Sequence, residues 1–139
     1  MSNIYSPSVI YLGKSKILDP KNKDFVSGKG VFASKDIRIG EIIEVAPILI
    51  LEFTDFVDTR WNLLFEYYFW MDDFVALALG FASLYNHSKD GNCKYKLNRA
   101  DKTITFTATK YIKRDVEICF NYKGTANPKT PLWFEKEKW

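Results

Sequence analysis

The single histidine of this chain, His87, stands between Asn86 and Ser88 at the end of a small-residue apolar run, Ala76-Leu77-Ala78-Leu79-Gly80-Phe81-Ala82-Ser83. An amide, an imidazole and a hydroxyl are badly placed there for a plain core. They are well placed to hold a polar ligand at the edge of one. Two further stretches share this look. Gly28-Lys29-Gly30-Val31-Phe32-Ala33 reads as a tight turn leading into a strand, where bare backbone amides can come close to a ligand. Glu117-Ile118-Cys119-Phe120-Asn121-Tyr122 reads as an apolar strand ending on a phenol, followed by Lys123-Gly124.

Each cluster alone also has a plain reading: a strand-initiating turn, a hydrogen-bonded imidazole, a packed tyrosine. Several chemistries are disfavoured. One histidine and two separated cysteines, Cys93 and Cys119, do not make a closed four-ligand metal set, so no metal is expected. A nucleophilic triad would need an elbow-type serine, which is missing. The glycine pair lacks the lysine-serine or lysine-threonine ending of a phosphate loop and the third glycine of a dinucleotide fingerprint.

The framework that positions these clusters is largely β. Val9-Ile10-Tyr11-Leu12 predicts a short strand within a polar, irregular opening over residues 1–24. Ile42 through Leu51 is a β-rich run whose Pro47 predicts an edge or bulged strand. Phe56 through Trp70 is the best helical segment. Asp58 or Thr59 would cap it, and Trp61, Leu64, Phe65 and Tyr68 recur at three- and four-residue intervals. Phe74 to Leu79 predicts a strand, and Phe81 to Tyr85 a single helical turn. Lys94-Tyr95-Lys96-Leu97 and Thr103-Ile104-Thr105-Phe106-Thr107-Ala108 alternate like half-buried strands joined by a polar hairpin loop. The tail carries Pro128, Pro131, Trp133, Phe134 and Trp139 and is not a simple helix. No internal repeat or linker is evident.

A chain of 139 residues with 47% hydrophobic content is one domain's worth and needs no staple to bury a core. Aromatic residues reach 17%, enough to line a cleft as well as fill a core. A net charge of +3 is too mild to argue for direct nucleic-acid binding. No apolar run is long enough for a signal-peptide core or a membrane span, so no membrane partner is expected. Two cysteines read as free thiols point to an intracellular setting, cytoplasmic or nuclear.

Taken together and in this order, the three clusters resemble the SET domain of protein lysine methyltransferases. Gly28-Lys29-Gly30-Val31-Phe32-Ala33 is similar to the family's opening glycine motif, and Ile37-Arg38-Ile39-Gly40-Glu41-Ile42-Ile43 to the segment after it. Asn86-His87-Ser88, with Asn92 close behind, resembles the central asparagine-histidine motif. Ile112-Lys113-Arg114-Asp115-Val116-Glu117-Ile118-Cys119-Phe120-Asn121-Tyr122 resembles the terminal motif that ends in the catalytic tyrosine. The match covers roughly residues 25–134, and the size is similar to compact viral and bacterial SET proteins.

The resemblance implies a mainly β fold, the β-clip of several small curved sheets with one or two short helices. Its C-terminal segment threads beneath a preceding loop in a knot-like crossing that brings Asn86-His87 against Tyr122. It implies an N-terminal segment over 1–24 packed on the core, a SET domain over 25–124 and an aromatic tail over 125–139 closing the cofactor site. The implied cofactor is S-adenosylmethionine. Backbone groups around Lys29, Gly30 and Val31 would contact its methionine end, Asn86 and His87 would hold its amine and adenine parts, and Tyr122 would lie where the methyl leaves. Many SET enzymes carry a cysteine-rich zinc segment after the core. These residues hold none, so Pro131-Leu132-Trp133-Phe134 is the apolar segment expected to close the pocket, with Trp133 or Phe134 stacked on the adenine.

The residues suit that chemistry. Methyl transfer is an in-line displacement at carbon by a neutral amine. A free lysine has a pKa of about 10.4, so deprotonating it near neutrality costs roughly 4–5 kcal/mol. An apolar channel and a neighbouring sulfonium cation both disfavour the ammonium, so no strong general base is needed. Tyr122 would orient the amine, with Tyr67 and Tyr85 as channel walls. The family's aromatic at the position of Phe120 tunes how many methyls are added, and phenylalanine leaves space for more than one. The expected partner is a protein carrying a lysine, a histone or another basic protein, and the aromatic tail could serve a homodimer contact. Two other readings stay open: a non-catalytic binding module that kept the fold, and an unrelated lectin-like or nucleic-acid module. The second is disfavoured by the weak charge and the missing basic aromatic platform.

Overall fold

The computed structural model describes residues 9–17, 28–56 and 67–122. The strands are β1 (Ile10–Lys14), β2 (Lys29–Ala33), β3 (Ile42–Leu51), β4 (Phe69–Trp70), β5 (Val75–Ala78), β6 (Asn86–His87), β7 (Cys93–Asn98), β8 (Thr103–Ala108) and β9 (Glu117–Phe120), with 3-10 turns at Phe53–Phe56 and Ala82–Leu84. They form a four-stranded sheet in the order β1-β2-β9-β6 and a five-stranded sheet in the order β4-β5-β3-β8-β7. Alternation explains the inward faces. Ile104, Phe106 and Ala108 of β8 and Cys93 and Tyr95 of β7 are buried, while Lys94 and Lys96 stand in solvent.

The two sheets are joined by a reciprocal arrangement that the sequence analysis did not detect. Segment 33–43 and segment 108–118 make the same backbone hydrogen bonds with their roles exchanged. Ile37 and Ile112 bond to each other in both directions, at 2.7 and 2.8 Å. Gly40 N–H donates to the Ala108 carbonyl at 2.8 Å, and Asp115 N–H to the Ala33 carbonyl at 2.8 Å. Ala33 N–H donates to the Val116 carbonyl at 3.0 Å, and Ala108 N–H to the Glu41 carbonyl at 3.0 Å. Both turns need a positive φ, at Gly40 (85°) and Asp115 (68°). The side chains at one further equivalent pair meet across the same axis: Tyr111 donates its hydroxyl to Asp36 at 2.7 Å. The Arg114 N–H, then this hydroxyl, hold the Asp36 carboxyl below the usual range. The third strand of each unit therefore crosses to the other unit's sheet: β3 pairs β8, and β9 pairs β2. An internal repeat exists after all. Its identities are sparse (Ala33/Ala108, Lys35/Lys110, Ile37/Ile112, Ile43/Ile118), too few to mark the repeat in the sequence.

Pro47 does not make β3 an edge strand. β3 is interior, pairing β8 over its first half and β5 over its second, and its one register shift falls between Ile42 and Glu44. Pro47 sits at the handover. Its carbonyl accepts from Leu79 N–H at 3.0 Å, so its missing N–H would face the Leu79 carbonyl, which is satisfied instead by Ala82 N–H at 3.3 Å. The helix expected over Phe56 to Trp70 is corrected at both described ends. Phe56 closes a 3-10 turn, and Phe69–Trp70 is a strand paired with β5. Asp58, Thr59, Trp61, Leu64 and Phe65 lie outside the described residues. The strand expected before Gly80 and the single helical turn after it are both present.

Candidate functional site

β9 is the strand that assembles the site, because it lies between β2 and β6. Phe32 pairs with Glu117 on one side, and Asn86 pairs with Cys119 and His87 with Phe120 on the other, in parallel. The glycine segment, where Lys29 and Gly30 are not the expected tight turn but the start of strand β2 paired with β1, is thus a neighbour of the asparagine-histidine pair and the terminal strand in one sheet. The loop after β6 lies across β9 and clasps it. Ser88 N–H donates to the Phe120 carbonyl at 3.1 Å, and Asn92 N–H to the Cys119 carbonyl at 2.9 Å. The Asn92 side chain completes the clasp like a strand, accepting from Cys119 N–H at 2.9 Å and donating to the Glu117 carbonyl at 2.9 Å. Gly91 permits it: a Cβ there would stand 2.7 Å from the Phe120 Cα and 2.8 Å from the Cys119 oxygen. This is the local form of the expected crossing.

Asn86 donates its amide to the Lys29 carbonyl at 3.0 Å and to the Glu117 carboxylate at 2.8 Å. Glu117 also accepts from the Ser15 hydroxyl, at 2.9 and 3.0 Å to its two oxygens. Gly30 backs this group, since a Cβ there would run into the Glu117 carboxylate and stand 3.1 Å from the Asn86 nitrogen. Val31 is fully buried beside it.

His87 accepts from Tyr122 N–H at its Nδ1, 3.0 Å away, which leaves the proton of the neutral ring on Nε2. The two rings lie 5.1 Å apart. Tyr122 donates its hydroxyl to the Tyr85 carbonyl at 2.7 Å. Burial, then the neighbouring Cys119, Tyr67 and Glu117, push the phenol well above its ordinary value, so it stays protonated. Phe120 is buried among rings, with Tyr122 at 5.0 Å, Tyr95 at 5.4 Å, Phe106 at 5.5 Å and Phe69 stacked at 6.0 Å. Beneath it, burial raises the Cys119 thiol to about 12, which leaves it inert.

The structure brings together Lys29, Gly30, Val31, Asn86, His87, Phe120 and Tyr122. Tyr67 is 39% exposed and near enough for its charge to bear on the Tyr122 phenol. Tyr85 is corrected: its ring is 1% exposed, packs on Phe106 at 4.2 Å and gives its hydroxyl to Glu44, so it is a core ring and not a channel wall. Its contribution is the carbonyl that fixes Tyr122. Trp133 and Phe134 lie outside the described residues. Among the described residues, no three His, Cys, Asp or Glu side chains gather to hold a metal, and no helix is long and apolar enough to cross a membrane. Sequence reasoning missed Ser15, the Glu117 side chain and Glu44. The signal for Glu44 was a carboxylate inside an apolar strand run.

This geometry presents a half-buried neutral phenol with a fixed hydroxyl, walled by aromatic rings, next to a carboxylate, a backbone carbonyl and an amide. Among the described residues it has no acid–base pair in the usual hydrolytic sense. It can hold a polar, cationic ligand and orient a second group against it.

Residues 28–123 match the family model described as SET domain. A histone-lysine N-methyltransferase of Schizosaccharomyces pombe, specific for H3 lysine-37, is 31% identical over 112 residues, 79% of this chain and 72% of that protein. A crystal structure of a Plasmodium falciparum protein assigned as a histone methyltransferase superposes with a TM-score of 0.66 at 27% identity, covering 86% of this chain and 95% of that one. The polycomb repressive complex 2 of Chaetomium thermophilum gives a TM-score of 0.67 at 25% identity, over 88% of this chain but only 16% of that one. A further structure of the complex, autoinhibited and bound to S-adenosylmethionine, gives a TM-score of 0.66 at 25% identity, over 85% of this chain and 15% of that one. The chain belongs to the SET-domain family, and its class is the protein-lysine N-methyltransferases.

Proposed function

We propose that this enzyme transfers the methyl group of S-adenosylmethionine to the ε-amine of a lysine in a histone or other basic protein, and goes beyond monomethylation. The observation that carries the reading is the meeting of β2, β6 and β9, which sets Asn86, His87 and Tyr122 around one locus. The residues fit the cofactor. The Glu117 carboxylate and the Lys29 carbonyl converge on one amide, an acceptor set suited to an ammonium group, and Gly30 keeps a Cβ out of that corner. When bound, the cofactor supplies an electrophilic methyl on a sulfonium centre. Two relatives support its use: a solved neighbour is bound to S-adenosylmethionine, and the fission-yeast relative is named for methylating a histone lysine.

The chain's own residues do the rest. Lys29, Gly30, Val31, Asn86 and His87 hold and orient the cofactor. Tyr122 donates its hydroxyl hydrogen bond to the Tyr85 carbonyl, so its oxygen is left as an acceptor for an amine N–H. That bond turns the amine's lone pair toward the methyl and supplies alignment rather than basicity. Phe69 and Phe120 exclude water, which disfavours the ammonium form of the incoming lysine. Buried free Cys93 and Cys119 suit a reducing intracellular compartment.

Calorimetric titration with S-adenosylmethionine, followed by intact-mass analysis of histone H3 incubated with enzyme and cofactor, tests the reading. Saturable binding and products carrying more than one methyl are expected. Absence of binding would overturn it. Phe120→Tyr places a hydroxyl among the rings and should restrict the product to one methyl. An unchanged product spectrum would refute that role.

A further inference from the structure

Glu44 is a carboxylate in the centre of the five-stranded sheet, 1% exposed. Among the described residues no cation pairs with it. An uncompensated buried carboxylate is costly, so its surroundings must answer it with donors. They do so from one short segment. Oε2 accepts from Phe81 N–H at 2.9 Å, and Oε1 from the Tyr85 hydroxyl at 2.9 Å. These donors flank the 3-10 turn Ala82–Leu84, so one carboxylate grips the turn at both ends. Gly80 gives it room: its φ is 66°, and a Cβ there would stand 2.6 Å from Oε2. Directly after the turn come the Tyr85 carbonyl, which receives the Tyr122 hydroxyl at 2.7 Å, and then Asn86 and His87.

The geometry points to Glu44 as a positioning residue for methyl transfer, acting through the Tyr85 hydroxyl and the 3-10 turn to set the direction of the Tyr122 hydroxyl. The inference rests on the function proposed above. Glu44 touches neither reactant. It fixes a carbonyl oxygen, and that oxygen fixes the phenol proton. A phenol free to rotate would spend part of its time donating to the amine instead of accepting from it. That arrangement would tie up the lone pair that must attack the methyl.

The test uses the full chain and three variants, Tyr85→Phe, Glu44→Ala and Glu44→Gln, with histone H3 as methyl acceptor. Glu44→Ala should lower kcat about 100-fold and Tyr85→Phe about tenfold, the scale of a misdirected reacting group. S-adenosylmethionine Kd and the KM for histone H3 should stay within about twofold, the mark of an effect outside ground-state binding. Glu44→Gln keeps an acceptor for Phe81 N–H and a donor for the Tyr85 oxygen, so it should recover most of the lost kcat. A second readout needs no turnover. In protein labelled with 3-fluorotyrosine, the fluorine resonance of Tyr122, assigned by its loss in Tyr122→Phe, should shift in Glu44→Ala and hold near the wild-type position in Glu44→Gln. In unlabelled Tyr85→Phe the same test is made by the pH at which the Tyr122 phenol ionises. Should Glu44→Ala fail to fold, Tyr85→Phe decides. Wild-type kcat with an unmoved phenol overturns the inference. So does a kcat loss matched by equal losses in cofactor affinity and melting temperature, which would mean general loosening. Wild-type protein that binds no S-adenosylmethionine would instead sink the proposed function, and the fluorine shifts alone would then decide whether Glu44 sets the phenol.

Discussion

The two reciprocal units of this fold share a frame and differ in what their third strands meet. In the first, β3 runs on for ten residues through Pro47 and becomes the middle of the five-stranded sheet. In the second, β9 stops after four residues, and the short parallel strand β6 lies beside it with the 88–92 loop folded over the top. The position equivalent to Pro47 is Tyr122. Neither donates an N–H to a ladder: proline has none, and the N–H of Tyr122 goes to a histidine side chain. Glycine also falls differently. Gly30 in β2 clears space for Glu117 and Asn86, whereas its counterpart Thr105 in β8 carries a side chain opposite Val45. The same backbone crossing therefore yields a largely apolar core around the buried Glu44 on one side and a polar site on the other. The difference lies in an interrupted strand and a missing side chain.

The sharpest way to break this comparison is at the clasp. Gly91→Ala pushes a Cβ into the backbone of Phe120 and Cys119, which cannot move without dismantling β9, and should cost about 3 kcal/mol by urea denaturation. Gly28→Ala, with nothing within 4 Å of the added carbon, should be nearly neutral and serves as the control. Gly30→Ala displaces the Glu117 carboxylate from Asn86. It should weaken S-adenosylmethionine binding about tenfold, or about 1.4 kcal/mol by calorimetry, with a melting point close to wild type. The turns offer a smaller contrast. Gly40→Ala places a side chain at a φ of 85° and should cost about 1 kcal/mol. Asp115→Gly relieves the same strain but loses the exposed bond from Tyr11, so it should change stability by less than about 0.5 kcal/mol.

The smallest effect is a pH dependence. Burial raises the Glu44 carboxyl above its ordinary value, opposed by the bonds from Phe81 and Tyr85. A carboxyl raised in the folded state contributes stability that is full below its unfolded value and is lost as pH rises through its folded value. Glu44→Gln removes that loss. Its melting temperature should gain on wild type as pH rises above the ordinary glutamate range of about 4, and parallel curves would contradict the assignment.

Much of this was legible in the sequence, for reasons that particular residues make plain. The alternation of Lys94-Tyr95-Lys96-Leu97 and Thr103 to Ala108 is local, so the β7–β8 hairpin could be read directly. Asn86, His87 and Tyr122 could be grouped through a family resemblance, although no periodicity connects them. What escaped was set by contacts across the chain. Glu44 is satisfied by Phe81 and Tyr85. Tyr85 reads as a channel wall only through the family resemblance, whereas its ring packs in the core beside Phe106 and its carbonyl faces Tyr122. The intervals of Trp61, Leu64, Phe65 and Tyr68 suggested a helix reaching Trp70, but pairing with β5 claims Phe69 and Trp70 for a strand.

The most direct test of the account compares wild type with Tyr122→Phe, following transfer of labelled methyl from S-adenosylmethionine to histone H3 at saturating cofactor. The account predicts that kcat falls by about 100-fold while cofactor Kd stays within about twofold, because the hydroxyl aligns the amine without holding the cofactor. Equal kcat in the two proteins would contradict it.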